Sequence, residues 1–429
     1  MDYEALLQEL YRLERFGIKL GLDTITELLG HVGNPHRRFK AVHVTGTNGK
    51  GSVCAFVASA LRKAGHRVGL YTSPHLVRFN ERIQVDGREI PDADVARIYD
   101  EMRPAIEATA AHSKVKHPTF FEVATAMAFH YFAEQGIDIG VIEVGMGGRY
   151  DATNVVVPLV AVLTRIGLEH TEQLGKTKER IAREKSGIIK PGCRVVTVDQ
   201  PTLPVIEARA HGLGCPVTVV GRDVRYERVA FDRRGQRVRV SDGGSMDLQI
   251  PLLGAYQSEN AAVAYAALRA VAAMGIAVPD EAIAAGFRET VWPGRLQIVR
   301  ERPTVVVDGT HNAPGVPALA ASLRELFPGV RPVLVLGILD DKDLAPFAEH
   351  LGPMASRLVV ARPDTHRAYP PEAIARAFEA HLKDPVSVPK VSEAVDRAIA
   401  MAGPDGLVVI TGSIYTAGEA LAHLQGRQG

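Results

Sequence analysis

AVHVTGTNGKGSVCAFVASALRKAG, residues 41–65, decides the fold class. Its first residues, 41–46, are apolar and β-branched, as a buried parallel strand requires. The run 52–65 has the composition of a helix. Between them lies Gly46-Thr47-Asn48-Gly49-Lys50-Gly51-Ser52. A strand, a glycine-rich turn and a helix in that order form the context of a phosphate loop. Glycines let consecutive backbone N–H groups converge on phosphate oxygens, and the helix adds the positive end of its dipole. Lys50 is placed to bridge the outer phosphates, and the Ser52 hydroxyl to hold Mg²⁺. Thr47, Asn48, Gly49, Lys50, Gly51 and Ser52 are therefore the expected nucleotide ligands. Gly51 separates Lys50 from Ser52, which the usual spelling GxxxxGK[ST] does not allow. A plain glycine-rich turn with an exposed lysine is the bland alternative, and the strand–loop–helix context argues against it. The loop by itself implies a nucleotide, not a reaction.

Working outward, residues 2–30 read as helical. Downstream, 67–73 reads as a strand and 73–90 as a polar, loop-like stretch with an Asp-Gly turn signal. Helices follow near 92–112 and 120–135. The strands 138–145 and 159–167 are apolar on both faces, completing a βαβ rhythm. Between 194 and 253 alternating segments (216–221, 224–232 and 237–242) suggest a small strand-rich addition. Helices are expected at 258–275 and 279–289. After Trp292-Pro293-Gly294-Arg295 a second α/β rhythm places strands at 304–309, 332–339, 357–362 and 407–413. The expected fold is α/β. A P-loop ATPase domain over 1–297 has a mostly parallel sheet plus a small β-rich addition, and a Rossmann-like α/β domain covers 298–429.

The 429 residues are 46% hydrophobic and 23% charged, enough to build two cores. A net charge of +1 gives no global field toward nucleic acid or membrane. Apolar runs such as 155–163 are too short to span a bilayer, and the N-terminus lacks the basic start and apolar core of a secretion signal. Cys54, Cys193 and Cys215 are odd in number and widely spaced, which points to a reducing compartment and away from a disulfide or zinc framework. The expectation is a cytoplasmic protein with small-molecule substrates and neither nucleic-acid nor membrane partners.

The variant loop spelling HVTGTNGKGS (43–52) resembles that of the folylpolyglutamate synthase and dihydrofolate synthase branch of the Mur ligase superfamily. The likeness extends in family order through 71–83, 119–125, 142–155, 168–175, 183–192, 257–264, 293–297, 308–312 and 411–415. Each segment is weak alone, and the ordered set is specific. The resemblance implies a ligase that splits ATP to ADP and phosphate and joins a folate or pteroate carboxylate to the amino group of L-glutamate. A carboxylate is a poor electrophile, so an acyl phosphate is formed first. Two anions must then meet, and cations must neutralise them.

The same resemblance assigns residues. Two Mg²⁺ ions would be held by Ser52, Ser73, Glu143 and His170. Glu143 has support of its own, as a lone acid ending an apolar strand where parallel sheets place ligand sites. Ser73 alone would be a turn serine, and His170 alone a structural histidine. Lys185, by itself a helix-surface lysine, matches a lysine carbamylated in similar enzymes, and Lys50, Lys185 and His311 are the catalytic candidates. Asn260, Arg295 and Asp308 match nucleotide positions at the domain junction. The segment Asp308-Gly309-Thr310-His311-Asn312-Ala313 departs from the family's Asp-x-Ala-His-Asn-Pro at Thr310 and Ala313, which weakens the transfer to His311. Phe120, Phe121, Glu122, Tyr150, Asp151 and Ala152 match the pterin side, although at least one of the two phenylalanines is expected to be core. Ser413 and Tyr415 match the glutamate side. The family is usually monomeric, and closure of the C-terminal domain over the substrates is expected. A Mur-type ligase with another substrate and a non-ligase nucleotide switch are the competing readings. The latter does not need Glu143, His170 or a second α/β domain.

Overall fold

A computed structural model describes residues 3–17, 21–112 and 117–426. Its largest sheet has eight strands in the spatial order Arg88–Glu89, Ile83–Val85, Val68–Tyr71, Ile139–Glu143, Lys40–Thr45, Val160–Leu163, Arg194–Val198 and Val217–Val220. The last six run parallel, and their near-continuous Val, Ile and Leu content reflects burial on both faces. The strand leading into Gly46 is central, with Ile139–Glu143 on one side and Val160–Leu163 on the other. The crevice beyond the carboxyl ends of these strands is where open α/β sheets bind ligands.

The helix Lys50–Lys63 packs under this sheet against the helices Tyr256–Ala273 and Asp280–Arg288. Phe56 stacks on Phe287 with ring centroids 4.8 Å apart. The other face is covered by Asp92–Ala111 and Phe120–Glu134, whose Phe129 and Phe132 meet Phe39. A separate antiparallel sheet is formed by Arg225–Asp232, Gly235–Ser241 and Ser245–Ile250. The third sheet has the order Gln297–Glu301, Thr304–Val307, Leu407–Thr411, Val333–Leu336, Arg357–Ala361 and Val386–Val388, all parallel except the first. The architecture is thus an N-terminal α/β domain with a β-rich addition and a C-terminal α/β domain, the expected fold class. Among the described residues, no helix is long and apolar enough to cross a membrane.

Four local expectations need correction. The stretch 2–30 is not one helix. Tyr3–Arg12 and a 3₁₀ turn Leu13–Phe16 end at Gly17, with φ 65°, and a second helix covers Asp23–His31. Residues 2 and 18–20 lie outside the described residues. The stretch 73–90 contains an edge hairpin, closed at Asp86 and Gly87 with φ of 52° and 76°, the positive values that a tight two-residue turn requires. Its strands of three and two residues are too short to show a period. The β-rich addition begins near 225, not 194. Arg194–Val198 and Val217–Val220 complete the main sheet, joined by the helix Leu203–Gly212. Gln297–Glu301 pairs with Thr304–Val307, so the division expected between 297 and 298 falls inside a strand of the third sheet.

Candidate active site

The loop after Lys40–Thr45 is held from several sides. The Thr164 hydroxyl donates to the Asn48 carbonyl at 2.8 Å, and the Thr47 amide donates to the Arg165 carbonyl at 3.0 Å. The Thr47 hydroxyl exchanges hydrogen bonds with the Gly167 carbonyl and amide at 3.1 and 3.0 Å. Thr47 therefore braces the loop, and both its polar donors face protein. Gly49 adopts φ 91° and caps the following helix, with the Asn260 side chain pressed against it. Asn260 Nδ2 donates in turn to Gln257 Oε1 at 2.9 Å, and Gln257 Nε2 donates to the Ser52 hydroxyl at 3.2 Å.

The additional glycine has a steric reason. A Cβ at Gly51 would lie 2.6 Å from Trp292 Cζ2, so only glycine lets the indole rest on the first turn of the helix. Trp292 directly precedes the Gly294–Leu296 crossing into the third sheet. Asp308, only 1% exposed, pins that crossing by accepting from the Leu296 and Thr310 amides, each at 2.9 Å. Arg295 lies against Gly309 and close enough to Glu143 for its charge to oppose the rise that burial gives the Glu143 pKa.

Two lysines converge on one carbonyl. Lys185 Nζ donates to Gly46 O at 2.7 Å, and Lys50 Nζ donates to the same oxygen at 3.3 Å and to Thr47 O at 3.1 Å. Burial, reinforced by the Lys50 charge, lowers the Lys185 pKa to about 7. Glu143 ends its strand buried, with Oε2 accepting from the Ser73 amide at 3.2 Å. Burial raises its pKa, and Lys50, the Ser73 amide, Arg295 and Arg82 oppose that rise. His170 is left-handed, with φ 49°, at the start of the turn Thr171–Leu174. The residue is exposed, yet the surrounding protein and nearby lysines lower its pKa to about 4, leaving a neutral imidazole.

Glu169, beside it, received no role from the sequence. Its carboxylate accepts from Asn312 Nδ2 at 2.8 Å and lies 3.6 Å from His311 Nε2. Burial alone would raise its pKa, but His311, Lys50 and Asn312 outweigh that and hold it far below the usual carboxylate range. Asn312 also forms a reciprocal amide pair with Asn48, at 2.9 and 3.3 Å. The C-terminal domain therefore touches the phosphate loop directly.

A Mur ligase middle-domain model matches residues 44–268, and a Mur ligase glutamate-ligase-domain model matches 294–414. A Bacillus subtilis dihydrofolate synthase/folylpolyglutamate synthase is 38% identical over 94% of this chain and 94% of its own length. The chain belongs to the folylpolyglutamate synthase/dihydrofolate synthase family of Mur ligases. A Haloferax volcanii relative, a probable bifunctional folylpolyglutamate synthase/dihydropteroate synthase, is also 38% identical, over 98% of this chain, and the chain spans half of that relative's length. A Mycobacterium tuberculosis folylpolyglutamate synthase solved with ADP superposes with a TM-score of 0.92 at 33% identity, covering both chains fully.

Within this family frame, several expected substrate residues turn inward. Asp151 lies buried under the loop 145–150. It accepts from the Met146 amide at 2.8 Å and from the Thr153 amide and hydroxyl at 3.0 and 2.5 Å. Glu122 closes a capping box with Thr119 at the start of Phe120–Glu134. Ser413 is fully buried and caps Ile414–Leu424, with its hydroxyl accepting from the Thr416 amide at 3.0 Å. Ala152 and Phe120 are also buried, the latter stacked on Tyr11 and beneath the Arg82 guanidinium. Phe121 lies over the Gly145 backbone, and Tyr150 and Tyr415 are exposed. Thus Phe121, Tyr150 and Tyr415 remain able to meet a ligand. Phe120, Glu122, Asp151, Ala152 and Ser413 are buried.

The hydroxyl and carboxylate oxygens of Ser52 and Glu143 are hard donors suited to Mg²⁺. Among the described residues, a His/carboxylate cluster lies elsewhere, at Glu101, His130 and Glu134. Arg97 already bridges its two acids at 2.9 Å, so it reads as a surface ion-pair network.

Proposed function

We propose that this chain is an ATP-dependent ligase that adds L-glutamate to folates and also to dihydropteroate, through an acyl phosphate. The carrying observation is the pair Lys50 and Lys185 on the single carbonyl of Gly46. The Lys50 cation, beside the positive end of a helix, suits a reaction in which a triphosphate and a carboxylate, both anions, must approach. Lys50 would follow the γ-phosphate as it passes to the substrate carboxylate. The glutamate amine then attacks the acyl carbon, phosphate leaves with its bonding pair, and an amide remains.

Ser52 with Glu143, and Ser73 with His170, would hold Mg²⁺, which when bound neutralises phosphate charge. Asn260 presses on Gly49 of the phosphate loop and Arg295 lies near Glu143, and both would border the nucleotide. Lys185 suits carbamylation. Burial keeps much of it as the neutral amine, which attacks CO₂ to form an N–C bond and release a proton. The buried, unpaired cysteines fit a reducing, cytoplasmic setting. Phosphate release should require both glutamate and a folate-type acceptor, and assays of dihydropteroate and tetrahydrofolate side by side would test the dual specificity. Strong release that ignores both substrates would sink the ligase reading and favour a nucleotide switch.

A further inference from the structure

We propose that Glu169 is a positioning residue that fixes the side-chain amide of Asn312, and through it aligns the loop 308–312 of the C-terminal domain with the phosphate loop. The geometry is over-determined. Asn312 Nδ2 gives one hydrogen to Glu169 Oε1 at 2.8 Å and the other to Asn48 Oδ1 at 2.9 Å. Asn312 Oδ1 accepts from the Gly315 amide at 3.0 Å and from Asn48 Nδ2 at 3.3 Å. Both hydrogens and both lone pairs are thereby used, in a side chain only 5% exposed. Flipping the amide would set a carbonyl against the Glu169 carboxylate and an amino group against the Gly315 N–H. Asn48 alone, able to donate or accept, would tolerate either orientation. Glu169 accepts only, so it selects one.

Glu169 is itself rigid relative to the phosphate loop, because the preceding residues bond to it through Thr47, Asn48 and Thr164. Pro314 packs on Gly167 beside the same contact. His311, one residue before Asn312, is carried to 3.6 Å from the carboxylate. The effect on catalysis rests on the ligase reading above; the contact itself does not.

The test is a polarity swap. N312D places two acceptors face to face and should raise amide exchange across 309–315 and lower kcat by about a hundredfold. E169Q alone keeps an acceptor for Asn312 and should lower kcat by about tenfold, with little change in folate KM. Combining E169Q with N312D restores a donor–acceptor pair with the roles exchanged. It should recover protection of the loop and at least tenfold in kcat over N312D. A double variant whose losses simply multiply, or unchanged exchange in N312D, would overturn the inference. The exchange measurement decides it even if the parent protein makes no glutamate-dependent ADP, a result that would count against the ligase reading alone.

Discussion

The two strand ends that face each other across the cleft use their polar groups differently. On the N-terminal side, Lys50, Lys185 and Glu143 are ionisable groups gathered at a carboxyl edge, with pKa shifts marking Lys185 and Glu143 as poorly solvated. On the C-terminal side, Asp308 and Ser413 are bonded to nearby backbone amides, and Asn312 is bonded to the Gly315 amide and across the seam to Asn48 and Glu169. Unmatched buried charge is costly, and it persists where a ligand completes it. The comparison assigns chemistry to the first edge and alignment to the second.

The strongest way to break that division is to remove a charge from the first edge. K50A should lower kcat by roughly 10²- to 10³-fold, the scale for deleting one group that meets developing charge. Steady-state ADP formation measures it. A loss below about tenfold would erase the distinction.

Lys185 gives the next effect, in stability as well as rate. Its folded pKa is lowered to about 7 from 10.5. Between those values the unfolded chain binds a proton that the folded chain lacks, so stability rises with pH through that window, by at most about 1.4 kcal/mol per unit. Below about pH 7 both states are protonated, and this contribution is flat. In bicarbonate-free buffer, K185M should abolish that part of the slope and be more stable than the parent at pH 6.5. Urea titrations across pH 6.5–9 would show it, and parallel curves for the two proteins would contradict it. Activity of the parent should also rise with added bicarbonate.

Legibility in the sequence follows the range of the interaction. The parallel strands, Lys50 and Glu143 could be read because each is announced by its own neighbours: an apolar run, a glycine turn, an acid at a strand end. Glu169, Gln257, Thr164 and Trp292 could not, since their partners lie far along the chain, as with Glu169 and Asn312 at 143 positions apart. Glu122 is a different case. Thr119-Phe120-Phe121-Glu122 spells a capping box, a local signal for a helix start. The edge hairpin at 83–89 escaped notice because its strands are shorter than any period that can be counted, although its Asp-Gly turn was visible.

A smaller effect tests the seam between the two regions. G51A would push its new Cβ to 2.6 Å from the Trp292 ring, so the indole must move off the helix. Overpacking of this kind costs about 1–3 kcal/mol. The nucleotide KM should rise roughly tenfold if displacement of Trp292 also disturbs the neighbouring crossing at Gly294–Leu296. Trp292 is the chain's one tryptophan, so its emission reports the displacement directly. Unchanged emission with impaired binding would move the cause into the phosphate loop itself.

The smallest expected effect falls on the side assigned to alignment. Ser413 was expected at the glutamate pocket, but its hydroxyl is wholly buried and caps a helix. S413A should then cost about 1 kcal/mol of stability, the usual value of an N-cap, and change the glutamate KM less than about twofold. Thermal denaturation and glutamate saturation curves separate the two roles. A hydroxyl that touches glutamate only after the domains move would instead raise KM strongly with little loss of stability. That outcome would mean that bonds satisfied within the C-terminal edge are exchanged during the reaction, and the contrast between the two edges would then describe one state of the protein rather than a division of labour.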